Sequence, residues 1–171
     1  MPASSLPVDE LVARLDLAPH PEGGYFRETY RAGLVVPESA LPSTFRGPRA
    51  ASTSIYFLLP RGTFSALHRI ASDEVWHFYA GGALTVHCLS EDGKHERLLL
   101  GRDLVRGEVP QAVVRAGTWF GARVEGEGEF ALVGCTVAPG FDFADFEMGT
   151  RDELLSRFPA QATLVRELTR S

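Results

Sequence analysis

The chain has 171 residues, with 22 acidic and 17 basic side chains and a formal charge of -5 at neutral pH. That length suits one hydrophobic core, and the mild acidity gives no attraction to phosphate backbones, so nucleic acid is excluded as an expected partner. Eleven prolines and seventeen glycines in an otherwise ordinary composition point to a turn-rich folded chain rather than a disordered one. No apolar run reaches transmembrane length, and Met1 to Glu10 lacks the basic start and long apolar segment of a secretory leader. Cys88 and Cys135 sit singly in apolar runs, as buried reduced thiols do. A cytoplasmic location with no membrane partner is expected.

Val8, Leu11, Val12 and Leu15 fall at helical spacing, with Asp9 and Glu10 in the first turn, so a short amphipathic helix opens the chain. Two prolines and two glycines between Ala18 and Gly24 end it. Tyr25 to Arg31 alternates as a strand, and a polar, proline-bearing loop from Gly33 to Ala50 is expected to move or to cover something. Ser52 to Leu59 is a second strand, with Thr53, Ile55, Phe57 and Leu59 on one face. Its polar face, Ser52, Ser54 and Tyr56, is expected to look into a wet cavity.

Gly62 to Gly82 then delivers His68 on one strand, turns, and delivers Glu74 on the next. Two antiparallel strands so joined bring an imidazole and a carboxylate to one wall. A hairpin with an Asp92-Gly93 turn follows, then short strands at Gln111 to Arg115, Trp119 to Val124 and Phe130 to Val137. Eight or more short strands without alternating helices indicate an all-β sandwich or barrel, most economically a jelly roll. Phe141, Phe143 and Phe146 are expected to anchor the C-terminal tail. Thr150 and Glu153 are spaced as a capping box for a helix to about Arg157, and a last short helix carries Leu164, Val165 and Leu168.

The spacing of Gly62, His68, Glu74 and Gly81 resembles the first signature of the cupin superfamily, in which His-x-His precedes the glutamate; here the second histidine is Ile70. The second signature is similar to Arg115 to Phe120, which keeps Gly117 but has Arg115 for the proline and Phe120 for the histidine. This resemblance implies a cupin double-stranded β-helix, or jelly roll, with a short N-terminal helix and C-terminal helices. Residues 1–171 are expected to form one cupin domain, with its barrel at roughly 24–146 and its C-terminal helices at 150–169. Two of the four implied metal positions are apolar, so no metal cofactor is expected. The alternative is a divalent transition metal on His68, Glu74 and a third ligand, and His77 is on the wrong strand face to be it.

Closer still is a resemblance to a small cupin family of unknown function, often labelled predicted sugar epimerases, carried by His20 to Tyr30, Ser54 to Leu59, His68 to His77, Gly117 to Phe120 and Pro139 to Phe146. Gly24 to Tyr30 is also similar to a stretch of the metal-free deoxysugar-nucleotide 3,5-epimerases, which implies His68 as the base. On that reading Glu74 orients or tunes His68 and Tyr56 is the acid. Arg27, Arg69 or Arg115 holds a phosphate or carboxylate. Glu28, Ser54, Trp76, His77, Gln111, Trp119 and Phe120 complete the expected substrate contacts.

Against these stand blander readings: a satisfied His68–Glu74 hydrogen bond, aromatics as plain core, Glu22 as a turn or surface residue, and His20, His87 and His95 as structural or exposed. The leading expectation is a metal-independent isomerase or epimerase acting on a small polar or carbohydrate-like molecule. A non-catalytic binding cupin and a metal-dependent oxygenase or isomerase are the alternatives. A homodimer is expected, because sheet edges or faces need covering.

Overall fold

The computed structural model describes residues 6–170; the part of the leader reading that rests on the first five residues lies outside them. A seven-residue helix, α1 (Val8–Arg14), precedes β1 (Ala18–Pro19), β2 (Tyr25–Arg31), β3 (Val35–Val36), β4 (Arg49–Ala50), β5 (Thr53–Pro60), β6 (Phe64–Arg69) and β7 (Asp73–Gly81). There follow β8 (Leu84–Leu89), β9 (His95–Leu100), β10 (Gln111–Val114), β11 (Trp119–Val124), β12 (Phe130–Ala138), β13 (Glu147–Met148), α2 (Arg151–Arg157) and α3 (Ala162–Glu167).

The strands form two facing antiparallel sheets, ordered β1-β2-β5-β12-β7-β10 and β13-β6-β11-β8-β9, with β3 and β4 as a separate pair. The fold is all-β, a jelly roll in which the chain alternates between sheets so that consecutive strands are seldom neighbours. Between the sheets lies the main core, built on Phe57, Leu59, Trp76, Val133, Phe120 and Val86. Both sheets are also covered outside. Helix α1, with Leu11, and Leu17 beyond it, pack on Leu58, Ala80, Phe130 and Leu132 of the larger sheet. Leu154, Phe158, Leu164, Val165 and Leu168 of the C-terminal segment pack on Leu67, Leu89 and Trp119 of the smaller one. Strands buried on both faces lose their polar alternation, and all six residues of β8 are buried. Among the described residues no helix is long and apolar enough to cross a membrane.

Two details differ from the sequence reading. Thr150 is the N-cap of α2, but its side chain makes no capping hydrogen bond, so the capping box does not form. The loop from Gly33 to Ala50 is not free: its end docks against a strap, residues 139–148, that crosses one mouth of the barrel. Gly140 N–H donates to Ala50 O at 2.7 Å and Phe141 N–H to Thr53 Oγ1 at 2.9 Å. Arg49 grips Asp145 through two 2.6 Å bonds while donating to the Pro48 and Arg46 carbonyls. Their side chains are only 4% and 5% exposed. Removing one partner strands a buried charge, so Asp145→Ala is expected to cost about 3–5 kcal/mol in chemical denaturation, whereas Asp92→Ala, at an exposed pair, is expected to leave the denaturation midpoint nearly unchanged.

Candidate functional site

The sequence His20-Pro21-Glu22-Gly23-Gly24 makes a tight turn that passes against β6. Gly23 N–H donates to His20 O and His20 N–H to Gly24 O, both at 3.0 Å. Gly23 and Gly24 have φ of +116° and +70°, and a Cβ at Gly23 would collide with the Phe64 carbonyl. Only glycine allows so close an approach in that conformation. Ala66 N–H of β6 donates to Glu22 O at 2.8 Å, and Arg170 donates to the same carbonyl. The turn therefore projects the Glu22 side chain into the barrel.

There Glu22 Oε1 accepts from Ser65 Oγ at 2.9 Å, and Glu22 Oε2 lies 2.9 Å from His68 Nε2. His68 Nδ1–H donates to Ala66 O at 2.7 Å. Both imidazole nitrogens thus face acceptors, which makes the pair an imidazolium against a carboxylate. Burial alone would neutralise both groups. Their mutual charge and hydrogen bond outweigh it, raising the His68 pKa and lowering that of Glu22.

Glu74 enters the same space from β7. Burial, then the Glu22 charge, pushes its carboxyl up to about 7, against a smaller opposing effect of His68 and the neighbouring Cys135. Cys135, on β12, is itself raised by burial and by Glu74. His20 Nδ1 accepts from Glu22 N–H at 3.2 Å, and burial lowers its pKa, so His20 is a neutral imidazole carrying its proton on Nε2.

These groups line one cavity of about 210 Å³, whose remaining wall includes Phe26, Ile55, Phe57, Ile70 and Val137. The strap closes it with Phe141 and Phe143. Phe146 packs over His68 with ring centroids 5.3 Å apart. At the mouth Arg31 chelates Glu28 at 2.9 and 2.7 Å and donates to Phe141 O.

A family model described as cupin superfamily (DUF985) matches residues 9–149. The chain belongs to the cupin superfamily. It is 39% identical to protein SO0799 from Shewanella oneidensis and matches its crystal structure with a TM-score of 0.86 over 96% of this chain and 98% of that one. A hypothetical protein from Leishmania major is 34% identical, with a TM-score of 0.88 over 97% and 100% of the two chains. Uncharacterized protein YML079W of Saccharomyces cerevisiae is 31% identical over 155 residues, 85% of this chain and 76% of the yeast protein. None of the three comes with a stated activity, and none extends the likeness to sugar epimerases.

The motif resemblance puts His68, Ile70, Glu74 and Phe120 at the superfamily's metal positions. Two are hydrocarbon, and the two nitrogens of His68 are committed to Ala66 and Glu22. Among the described residues no three His, Cys, Asp or Glu side chains form a group able to hold a metal ion. The donor set does not fit a protein-ligated divalent ion.

Of the residues expected to act, His68 and Glu74 meet in the cavity and Glu28 stands at its mouth. Trp76 and Phe120 are buried in the core behind it. Tyr56, the expected acid, is on the opposite face of β5, where Arg27 stacks over it and Tyr79 meets it edge-on. Ser54, His77 and Gln111 lie on that outer face too, linked in a chain in which Gln111 Nε2 donates to His77 Nδ1, and His77 Nε2 bonds Thr136 Oγ1, itself 3.2 Å from Ser54 Oγ. The strand alternation was right; the assignment of its polar face to the cavity was not, because Thr53, Ile55 and Phe57 point inward.

Arg69 pairs with Glu147 over the Trp119 ring, outside the barrel, and Arg115 pairs with Asp73. His87 and His95 join each other at 3.0 Å, with Glu125 on the far nitrogen of His87, away from the cavity. Glu22 and His20 are the residues the sequence reading passed over, although the double glycine after Glu22 marks a backbone forced against a neighbour.

Glu74 carries a measurable cost. With its pKa raised from 4.5 to about 7, the folded state keeps a proton that the unfolded state releases, so stability falls as pH rises through that window. Glu74→Gln has no such proton. Its melting temperature is expected to match the parent near the bottom of the window and to exceed it above, by the equivalent of about 3 kcal/mol once Glu74 is ionised. A stability difference that does not change with pH would remove this reading of Glu74.

Proposed function

We propose that this cupin is a metal-independent isomerase or epimerase that moves a proton on the carbon beside a carbonyl of a small carbohydrate-like molecule. The observation that carries the reading is Glu74: a buried carboxyl poised near neutrality, facing the cavity beside an already neutralised Glu22–His68 pair. A group titrating near the working pH is populated in both forms and so serves as base and then as acid.

His68 was the expected base, but an imidazolium bonded through both nitrogens has no lone pair to offer. Its role in the proposal is to supply fixed positive charge, held in place by Ala66 O and Glu22. Glu74 removes the proton, the electron pair moves into the new carbon–carbon double bond, and the carbonyl oxygen gains charge. Thr53, whose hydroxyl already accepts from Phe141 N–H and retains its own proton, and neutral His20 are the donors for that oxygen. In an α-hydroxy carbonyl substrate Glu74 returns the proton to the former carbonyl carbon on the same face while the hydroxyl proton passes from one oxygen to the other, which completes isomerisation; epimerisation takes a second proton donor on the opposite face. The Phe-rich strap keeps bulk water from the intermediate.

Solvent-deuterium incorporation into candidate keto-sugars, followed by NMR, tests this. Glu74→Gln is expected to slow exchange by about 10²-fold or more, whereas Tyr56→Phe on the outer face leaves it unchanged. Saturable binding without any exchange would make the protein a binding module instead. The expected homodimer belongs to this proposal as well, and its mass in solution by light scattering decides it.

A further inference from the structure

We infer, resting on the proton-transfer reading of the same cavity, that the substrate is a compact uncharged carbonyl compound with a branched or deoxygenated apolar half, and that the cavity rejects phosphorylated, nucleotide-linked and carboxylate substrates.

The charge inventory carries the inference. Arg31 and His68 are the cations of the cavity and its mouth, against the carboxylates of Glu22, Glu28 and Asp142, with Glu74 as a fourth acid. Each cation is already paired with a carboxylate, His68 with Glu22 and Arg31 with Glu28. His68 is bonded through both nitrogens, and Arg31 holds Glu28 twice and the Phe141 carbonyl once. Arg27, Arg69 and Arg115, which an anionic handle would need, are all outside. An anion brought here meets unpaired negative potential in a low-dielectric space and loses its hydration without compensation.

Size and lining narrow the class further. A cavity of about 210 Å³ lies below the range of drug-sized sites and is too small to enclose a nucleotide. Phe26, Ile55, Phe57, Ile70, Val137 and Phe141 supply a hydrocarbon half-wall. A fully hydroxylated sugar would bury hydroxyls against it without partners, whereas an alkyl or deoxy half gains by losing water.

Three matched probes test the inference: methyl isobutyl ketone, its anionic counterpart α-ketoisocaproate, and isoamylammonium, titrated by calorimetry or ligand-observed NMR at about pH 6 and about pH 8. The groups facing Glu74 are Glu22 and His20 from the turn, His68 from β6, Cys135 from β12, Glu28 and Arg31 from β2, and Asp142 from the strap. Glu74, raised to about 7, changes charge between the two conditions. At about pH 6 the ketone is expected to bind best of the three, and it keeps a similar affinity at about pH 8, where ionised Glu74 attracts the ammonium. The keto acid is expected to weaken relative to the ketone by about tenfold or more on going to the higher pH, the effect of about one pKa unit of charge interaction. In Glu74→Gln that ratio stays flat.

Binding of the keto acid as tightly as the ketone at either pH, or of the ammonium as tightly at about pH 6, overturns the inference, as does binding of none of the three. Deuterium incorporation read on the same samples keeps the two claims apart. Exchange without selectivity for the neutral probe sinks the substrate class and leaves proton transfer standing; selectivity without exchange does the reverse.

Discussion

The Glu22–His68 ion pair, buried between the N-terminal turn and β6, is the contact on which the interior of this barrel depends. Moving a carboxylate and an imidazolium out of water costs several kcal/mol each, and their attraction offsets that cost only if the remaining donors and acceptors are satisfied. Here they are: Ser65 donates to the carboxylate, the Ala66 carbonyl takes the second imidazolium proton, and the turn is pinned to β6 by the Ala66–Glu22 backbone bond. A neutralised pair at the back of the cavity leaves Glu74 without a cation of its own. That is why the protonation of Glu74 becomes the variable of the site.

The two apolar residues at the superfamily's metal positions belong to the same arrangement. Ile70 and Phe120 turn what would be a coordination chamber into a hydrocarbon surface, and the Phe120 ring packs 4.1 Å, centroid to centroid, from His68. A ring at that distance excludes water from His68, and the cation–π attraction together with the ion pair offsets that desolvation. The strap completes the enclosure from the opposite end of the chain, with Arg49 and Asp145 fastening it and Phe143 and Phe146 closing over His20 and His68. Jelly rolls host many unrelated chemistries, so membership of the family leaves function to be argued from these side chains.

The sequence alone made the strands legible, because alternation has a period of two residues and turn residues mark the ends. That His68 and Glu74 share the interior was legible too, from their spacing across a polar turn, but not that they reach it from facing sheets rather than from two paired strands of one wall. Which face of β5 looked inward was not. Both faces of the larger sheet are partly buried, the outer one by α1, by stacked Tyr56, Arg27 and Tyr79, and by the Ser54–Thr136–His77–Gln111 chain. A polar face and a cavity face are then not the same thing, and polarity pointed to the wrong one.

What the sequence by itself determined was an all-β chain with helical ends, the register of its alternation, and the chemical unfitness of Ile70 and Phe120 as ligands. These are local properties, set by side-chain type and by repeats a few residues long. The tertiary structure decided which groups share the interior. Residues 22, 68, 74 and 135 come from a turn and three strands in two sheets, and only the crossing of those sheets brings them together. It also decided their charges, since burial and mutual distance, not residue type, make His68 an imidazolium and hold Glu74 near neutrality.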